Sequence, residues 1–170
     1  GRGTVVHRRI RAFLASHLAP TAYYERAVRP KKRKEIRRLR NRLAELGPVA
    51  ACTLDDRADL DAWCDAFLAM EKAGWKGEEG SALACRHDTE LFFRRIVTAA
   101  WDAGRLQFLR LDAGDRPIAM LVNFLTPPGS FSFKTVFDED YARFSPGVLV
   151  QLENLKYLGR PRIAWVDGCS

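Results

Sequence analysis

Long apolar runs are missing from this sequence. None approaches the roughly 20 residues that a membrane-spanning helix requires, so the composition predicts a soluble, globular chain. The opening residues carry Arg2, Arg8, Arg9 and Arg11 without the uninterrupted apolar centre of a secretion signal. The chain begins on Gly1 rather than Met, which leaves open where the natural start lies. Metal-binding patterns are equally scarce. Cys52, Cys64, Cys85 and Cys169 are far apart with no Cys-x-x-Cys pair, and His7, His17 and His87 form no His-x-x-x-His pattern. Neither a zinc site nor a haem site is indicated, and the cysteines are expected to be reduced packing thiols in a cytoplasmic protein. Internal repeats and low-complexity tracts are also absent.

What remains is a chain of 170 residues, 47% hydrophobic, enough for one domain with a substantial core. Its formal charge of +7 is uneven: Arg29, Lys31, Lys32, Arg33, Lys34, Arg37, Arg38, Arg40 and Arg42 crowd one segment against a single Glu35. Nucleic acid, an acidic membrane surface or a phosphate-bearing cofactor could dock there, although a charge run alone is commonly a solvated helix face. In the same segment Ile36, Leu39, Leu43 and Leu46 fall at helical spacing, and Gly47-Pro48 ends the helix.

Ahead of it, Ile10, Phe13, Leu14 and Leu18 predict a short helix, followed by a connection through Pro20, Tyr23, Tyr24 and Pro30. Behind it, Val49 to Leu54 reads as a strand. Asp55 or Asp56 then caps a helix through Leu60, Trp63, Phe67, Leu68 and Glu71 to Gly74. A glycine-rich loop spans Gly74 to Gly80, and a second helix runs from Asp88 or Thr89 to Gly104. Three strands, Arg105 to Leu111, Pro117 to Leu125 and Ser130 to Phe137, are joined by short turn-type links and predict an antiparallel meander.

The stretch from Ser130 to Asn154 organises the rest. It is a strand, an acidic loop, and a helix restarting at Ser145-Pro146-Gly147, with Ser145 as N-cap and Pro146 in the first helical position. A helix start of this kind points unpaired N–H groups at one spot where negative charge is favoured, although Pro146 contributes no donor. A last strand, Arg162 to Val166, follows the helix and implies a parallel partner. Such a mixed sheet opens where its parallel strands diverge, a place where α/β sheets put ligands.

Lys31 to Gly47 (KKRKEIRRLRNRLAELG), Glu71 to Leu83 (EKAGWKGEEGSAL), Phe133 to Gly147 (FKTVFDEDYARFSPG) and Trp165-Val166-Asp167 resemble the GNAT N-acetyltransferase superfamily. Within it they resemble the FemAB-like branch, also described as cellulose-biosynthesis-associated acetyltransferases. The resemblance covers about residues 31 to 170 and implies an α/β fold, a mixed, mostly antiparallel sheet flanked by helices. Residues 1 to 47 would be a lead-in with the basic helix. Residues 48 to 170 would be the acyltransferase domain, stopping after the superfamily's fifth strand, short of the helix that supplies a tyrosine general acid.

The implied reaction is acyl transfer, acetyl first, from acetyl-CoA or another acyl-CoA to an amine of a small-molecule, peptide or glycan acceptor. The donor diphosphate would rest on the backbone at the Gly147 helix start, with Arg143, Phe144, Ser145, Gly147 and Val148 as its contacts. The superfamily motif there is Gln/Arg-x-x-Gly-x-Gly/Ala, and Arg143-Phe144-Ser145-Pro146-Gly147 departs from it by one residue and one glycine. Aminoacyl-tRNA, the donor of some FemAB-like relatives, is the alternative, with residues 31 to 42 as its contact. A non-catalytic module binding nucleic acid or a membrane surface is a third reading.

Amine acylation needs an uncharged nucleophile, a polarised thioester carbonyl and a proton for the leaving sulfur. The carbonyl is expected against a backbone N–H of the Ser130 to Phe137 strand. Glu71, Asp138, Glu139, Asp140, Glu153 and Asp167 could each serve as base, and Asp138 and Asp167, at the ends of the diverging strands, are preferred. Lys134 lies in an otherwise apolar strand and needs a partner; pairing with Asp138 or Asp167 is expected, which makes it a third catalytic-site candidate that would position substrate or stabilise the cleft. Trp75 and Lys76 are assigned to acceptor binding.

Overall fold

A computed structural model describes residues 13–159 and 163–168. His7, Cys169, the arginines before Phe13, and the first residue of the expected last strand lie outside them. So do the side chains of Trp75 and Lys76, whose backbone is described. In chain order the elements are β1 (Phe13–Ala15), α1 (Pro20–Ala27), α2 (Pro30–Ala44), β2 (Val49–Thr53), α3 (Leu60–Ala73) and α4 (Trp75–Glu78). Then come α5 (His87–Asp102), β3 (Leu106–Ala113), β4 (Arg116–Thr126), β5 (Gly129–Phe137), α6 (Pro146–Leu155) and β6 (Trp165–Asp167). Among these residues the strands form one six-stranded sheet in the order β1-β6-β5-β4-β3-β2. Only the β5–β6 pairing is parallel. The mixed, mostly antiparallel α/β sheet expected from the element order is thus the observed one.

Helices cover both faces. On one, Leu60, Trp63, Phe67 and Leu68 of α3 and Phe93 and Val97 of α5 pack on Phe108, Met120, Val122 and Val136. The Phe67 and Phe93 rings stack with centroids 5.0 Å apart, and Phe67 meets Phe108 edge-on at 5.6 Å. On the other, Ile36 and Leu43 of α2 and Leu149 and Val150 of α6 pack on Leu109, Leu111, Ile118 and Leu121. This double cover explains the unbroken apolar run Ile118 to Val122 in β4, since a strand buried on both faces loses polar alternation.

Three local expectations give way to longer-range structure. Phe13 and Leu14 form not a helix but β1, whose residues pair with β6 at the far end of the chain, and the first described helix starts at Pro20 instead. A sheet edge with unpaired backbone groups outweighs a short helical spacing. The loop from Gly74 to Gly80 contains the single helical turn of α4. Cys85 is exposed rather than packed, while Cys64 is buried, and that burial pushes its thiol pKa up to about 11. The thiolate is the reactive form. At pH 8 an alkylating reagent should therefore modify Cys85 within minutes and Cys64 only after denaturation; mass mapping that finds native Cys64 labelled as fast as Cys85 would contradict this packing.

Gly129 opens β5 directly beneath the Trp165 indole of β6, and an added Cβ would collide with the ring. Phe131 meets the same ring edge-on at 5.3 Å. Gly129→Ala should lower stability by about 1–3 kcal/mol through overpacking, read from the midpoint of a urea titration. An unchanged midpoint would mean that β6 does not seat on β5 in this way.

Candidate functional site

β6 pairs with β5 only at Gly129, Ser130 and Phe131. Beyond Phe131 the outer edge of β5, Ser132 to Phe137, has no strand beside it among the described residues. The backbone groups on that edge are the natural partners for an extended ligand laid along it. On its other edge β5 carries a bulge: Val122 pairs with Lys134 and Asn123 with Ser132, which leaves Phe133 extra. The extra residue turns both Phe133 and Lys134 toward α3, because side chains otherwise alternate between faces.

Lys134 therefore reaches Glu71, not Asp138 or Asp167. Its ammonium pairs with Glu71 Oε1, while Glu71 Oε2 accepts the Leu83 N–H at 2.8 Å. The Glu71 side chain is 1% exposed and that of Lys134 19%. Neither group is free for proton transfer while the pair holds.

Asp138 and Asp167 occupy strand ends, but not the same place. Asp167 is in register with Phe131, at the fork. Asp138 follows β5 seven residues later, about 23 Å along an extended strand. Asp138 is also committed: it pairs with Arg116 at 2.5 Å, and its Oδ1 caps the following 3-10 turn by accepting the Asp140 N–H at 3.1 Å. Arg116 bonds Asp140 as well, at 3.1 Å. These carboxylates hold the guanidinium's pKa above its ordinary value. Glu139 lies between them, exposed, with no partner among the described residues. Glu153 faces Lys156 and Arg40.

Two adjoining cavities lie between α3 and the end of β5. One, of about 250 Å³, is lined by Met70, Glu71, Gly74, Thr135, Phe137 and Glu139. The other, of about 420 Å³, is lined by Ala69, Ala73, Arg116, Asp138, Glu139 and Asp140. Met70 and Glu139 border both. The backbone of α4, where Trp75 and Lys76 sit, directly follows this wall.

At the α6 start, Ser145 does not cap the helix with its side chain. It adopts the left-handed conformation, φ 54°, with no side-chain cap bond. Its N–H goes to Ala142 O at 2.9 Å, and its carbonyl accepts the N–H groups of Val148 at 3.0 Å and Leu149 at 3.2 Å. Pro146 has no donor, and the Gly147 N–H has no acceptor among the described residues. The Phe137 ring lies 3.4 Å from where a Gly147 Cβ would be. Phe144 is buried in the core, Val148 is exposed, and the exposed Arg143 guanidinium stacks 4.8 Å above the Phe144 ring.

Sequence reading missed an array of buried amides beneath the fork. Asn123 Nδ2 donates to Gln107 Oε1 at 3.1 Å and to Asn154 Oδ1 at 2.8 Å. Asn154 in turn donates to Gln151, and Gln151 to Thr135 Oγ1 at 2.9 Å. This chain ties α6 to the open segment of β5. The only signal was polar residues inside apolar runs, such as Asn123 within MLVNFL.

The site thus sits on a mixed α/β sheet covered by helices on both faces, along the strand edge that runs from the parallel fork at Phe131 to the α6 start beside Phe137. The family model described as "Acetyltransferase (GNAT) domain" matches residues 30–167, and the chain belongs to that family. A search of curated proteins finds no match. Among solved structures, a conserved protein of unknown function from Bacteroides thetaiotaomicron is similar in fold. The TM-score is 0.60 and the identity 10%, over 93% of this chain and 53% of that one, so this chain spans about half its length.

Removing one partner of a buried ion pair leaves an uncompensated charge and costs about 3–5 kcal/mol. Lys134→Met should be destabilised by roughly that amount, and Glu71→Gln in the same background should restore part of it. Additive losses in a double-mutant cycle by chemical denaturation would show that the two groups do not interact.

Proposed function

We propose that this chain transfers an acyl group, acetyl first, from CoA to an amine, and that it belongs to the FemAB-like branch and works in the cytoplasm. The observation that carries the donor reading is the open edge of β5 leading to the unengaged Gly147 N–H. A pantetheine arm carries amides that suit an extended strand edge, and a diphosphate suits an N–H at a helix start, where the dipole adds attraction. The residues present therefore fit the cofactor. Arg143 and the Gly147 N–H would hold the diphosphate, while Ser145 and Val148, whose N–H groups are already bonded, shape the turn around it. CoA supplies an activated thioester, and the protein supplies position and charge.

The acceptor enters from the α3 side, where the two cavities meet. Glu139 is the carboxylate there with no partner among the described residues, and it draws in the incoming ammonium. Asp138 positions Arg116 and the 3-10 turn. The Lys134–Glu71 pair forms the cavity wall. Asp167 lies beside the thioester end of the fork, where it takes the proton of the incoming ammonium. Bound acyl-CoA would supply a thioester to the neutral nitrogen; a β5 N–H would stabilise negative charge on the carbonyl oxygen, and the second proton shed by the acylated nitrogen would go to the departing sulfur. Trp75 and Lys76 remain the acceptor-side assignment. An aminoacyl-tRNA donor is the competing reading for the basic helix.

Gly147→Asp tests the donor site without attacking the fold. A carboxylate in the first turn suits the helix dipole, whereas it opposes a diphosphate. CoA affinity by calorimetry should fall at least about tenfold, equivalent to roughly 1.4 kcal/mol, with the melting temperature held or raised. Unaltered CoA binding in this variant would remove Gly147 from the donor site.

A further inference from the structure

A groove of about 630 Å³ lies between α1, α2 and α6, on the face of the sheet opposite the α3 cavities. Its apolar lining comes from Ile36, Leu149 and Leu152, with Tyr24 at its side, and Arg33, Lys34, Arg37 and Arg40 form a basic border. Two of those cations are already used. Arg33 donates to the carbonyls of Glu25 and of Val28, the latter at 3.1 Å, closing the end of α1; Arg40 lies 3.8 Å from Glu153. Lys34 and Arg37 have no acidic partner among the described residues, and Glu25 is the one acid lining the groove. The groove thus offers an apolar floor, an aromatic ring and two unmatched cations, which suits a flat, phosphorylated ring system.

We propose that this groove holds the 3′-phosphoadenosine end of the acyl donor, with Lys34 and Arg37 on the 3′-phosphate. The inference rests on the donor reading above and extends it. Leu149, its nearest α6 residue, lies two residues beyond Gly147, about 3 Å along the helix axis, and in CoA the ribose and adenine follow directly on the diphosphate. Two free cations match one phosphate. A polynucleotide track would need a longer series of them.

The test compares CoA with dephospho-CoA, which lacks only the 3′-phosphate, by calorimetry on the whole chain. The native protein should prefer CoA by roughly tenfold or more, the scale of charge-assisted hydrogen bonds to a phosphate. Lys34→Ala/Arg37→Ala should reduce that preference to within about threefold, with dephospho-CoA affinity little changed. Arg38→Ala, an exposed cation outside the groove, controls for net charge and should keep the full preference. Equal affinities in the native protein, or a preference that survives the double variant, would overturn this inference while leaving the donor reading intact. Failure of both compounds to bind would overturn both. Binding of RNA that weakens steeply with salt and is lost in the double variant, without discrimination between the two coenzymes, would assign the groove to RNA instead.

Discussion

One surplus residue in β5 governs the architecture around the fork. If β5 followed β4 without the bulge at Phe133, Lys134 would face α6 and the amide array of Asn123, Asn154 and Gln151, which holds no carboxylate. With the bulge, Lys134 meets Glu71 of α3, while Thr135 and Phe137 turn to α6 and meet Gln151 and Gly147. The two helices flanking the open edge are thereby fastened to the same three or four residues of β5. A bulge also bends and twists its strand, which is consistent with β5 parting from β6 just before Phe133.

Charge follows the same division. The chain carries +7 overall, yet Glu71, Asp138, Glu139 and Asp140 gather around the α3 cavities, and the unmatched cations lie on α2 across the sheet. Arg116 and Lys134 compensate part of the acidic side, leaving Glu139 without a partner among the described residues. On the proposed reading an anionic donor and a cationic acceptor are each attracted to a different face. Charged partners separated by the thickness of a sheet and its helices are largely screened from each other at physiological salt, where the Debye length is about 8 Å.

Local chemistry made the meander legible. Gly114 adopts φ 61° in the two-residue link between β3 and β4, as turn residues of that kind require. The helices were legible where apolar spacing was long and sustained, as in α3 and α5. What could not be read locally depends on contacts between distant residues. β1 exists because β6 offers it an edge. The choice of Glu71 over Asp138 as the partner of Lys134 depends on one bulged residue that no strand propensity marks. Ser145 read as a capping side chain because serine is a good N-cap, but its left-handed backbone directs the hydroxyl elsewhere. Among the carboxylates, sequence could name the six candidates but could not see that Arg116 already occupies Asp138.

The strain at Ser145 sharpens the argument for a prepared site. A non-glycine residue in the left-handed region costs about 1–2 kcal/mol, and the surroundings hold it there: Phe144 is buried before it, Leu149 and Val150 after it, and its own N–H and carbonyl are both bonded. A continuous helix from the 3-10 turn into α6 would have engaged the Gly147 N–H with the carbonyl one turn earlier. The left-handed residue interrupts that ladder and leaves the donor open beside Phe137. Because packing fixes the geometry before any ligand arrives, binding there orders little further backbone, and the cost of organising the site is met during folding.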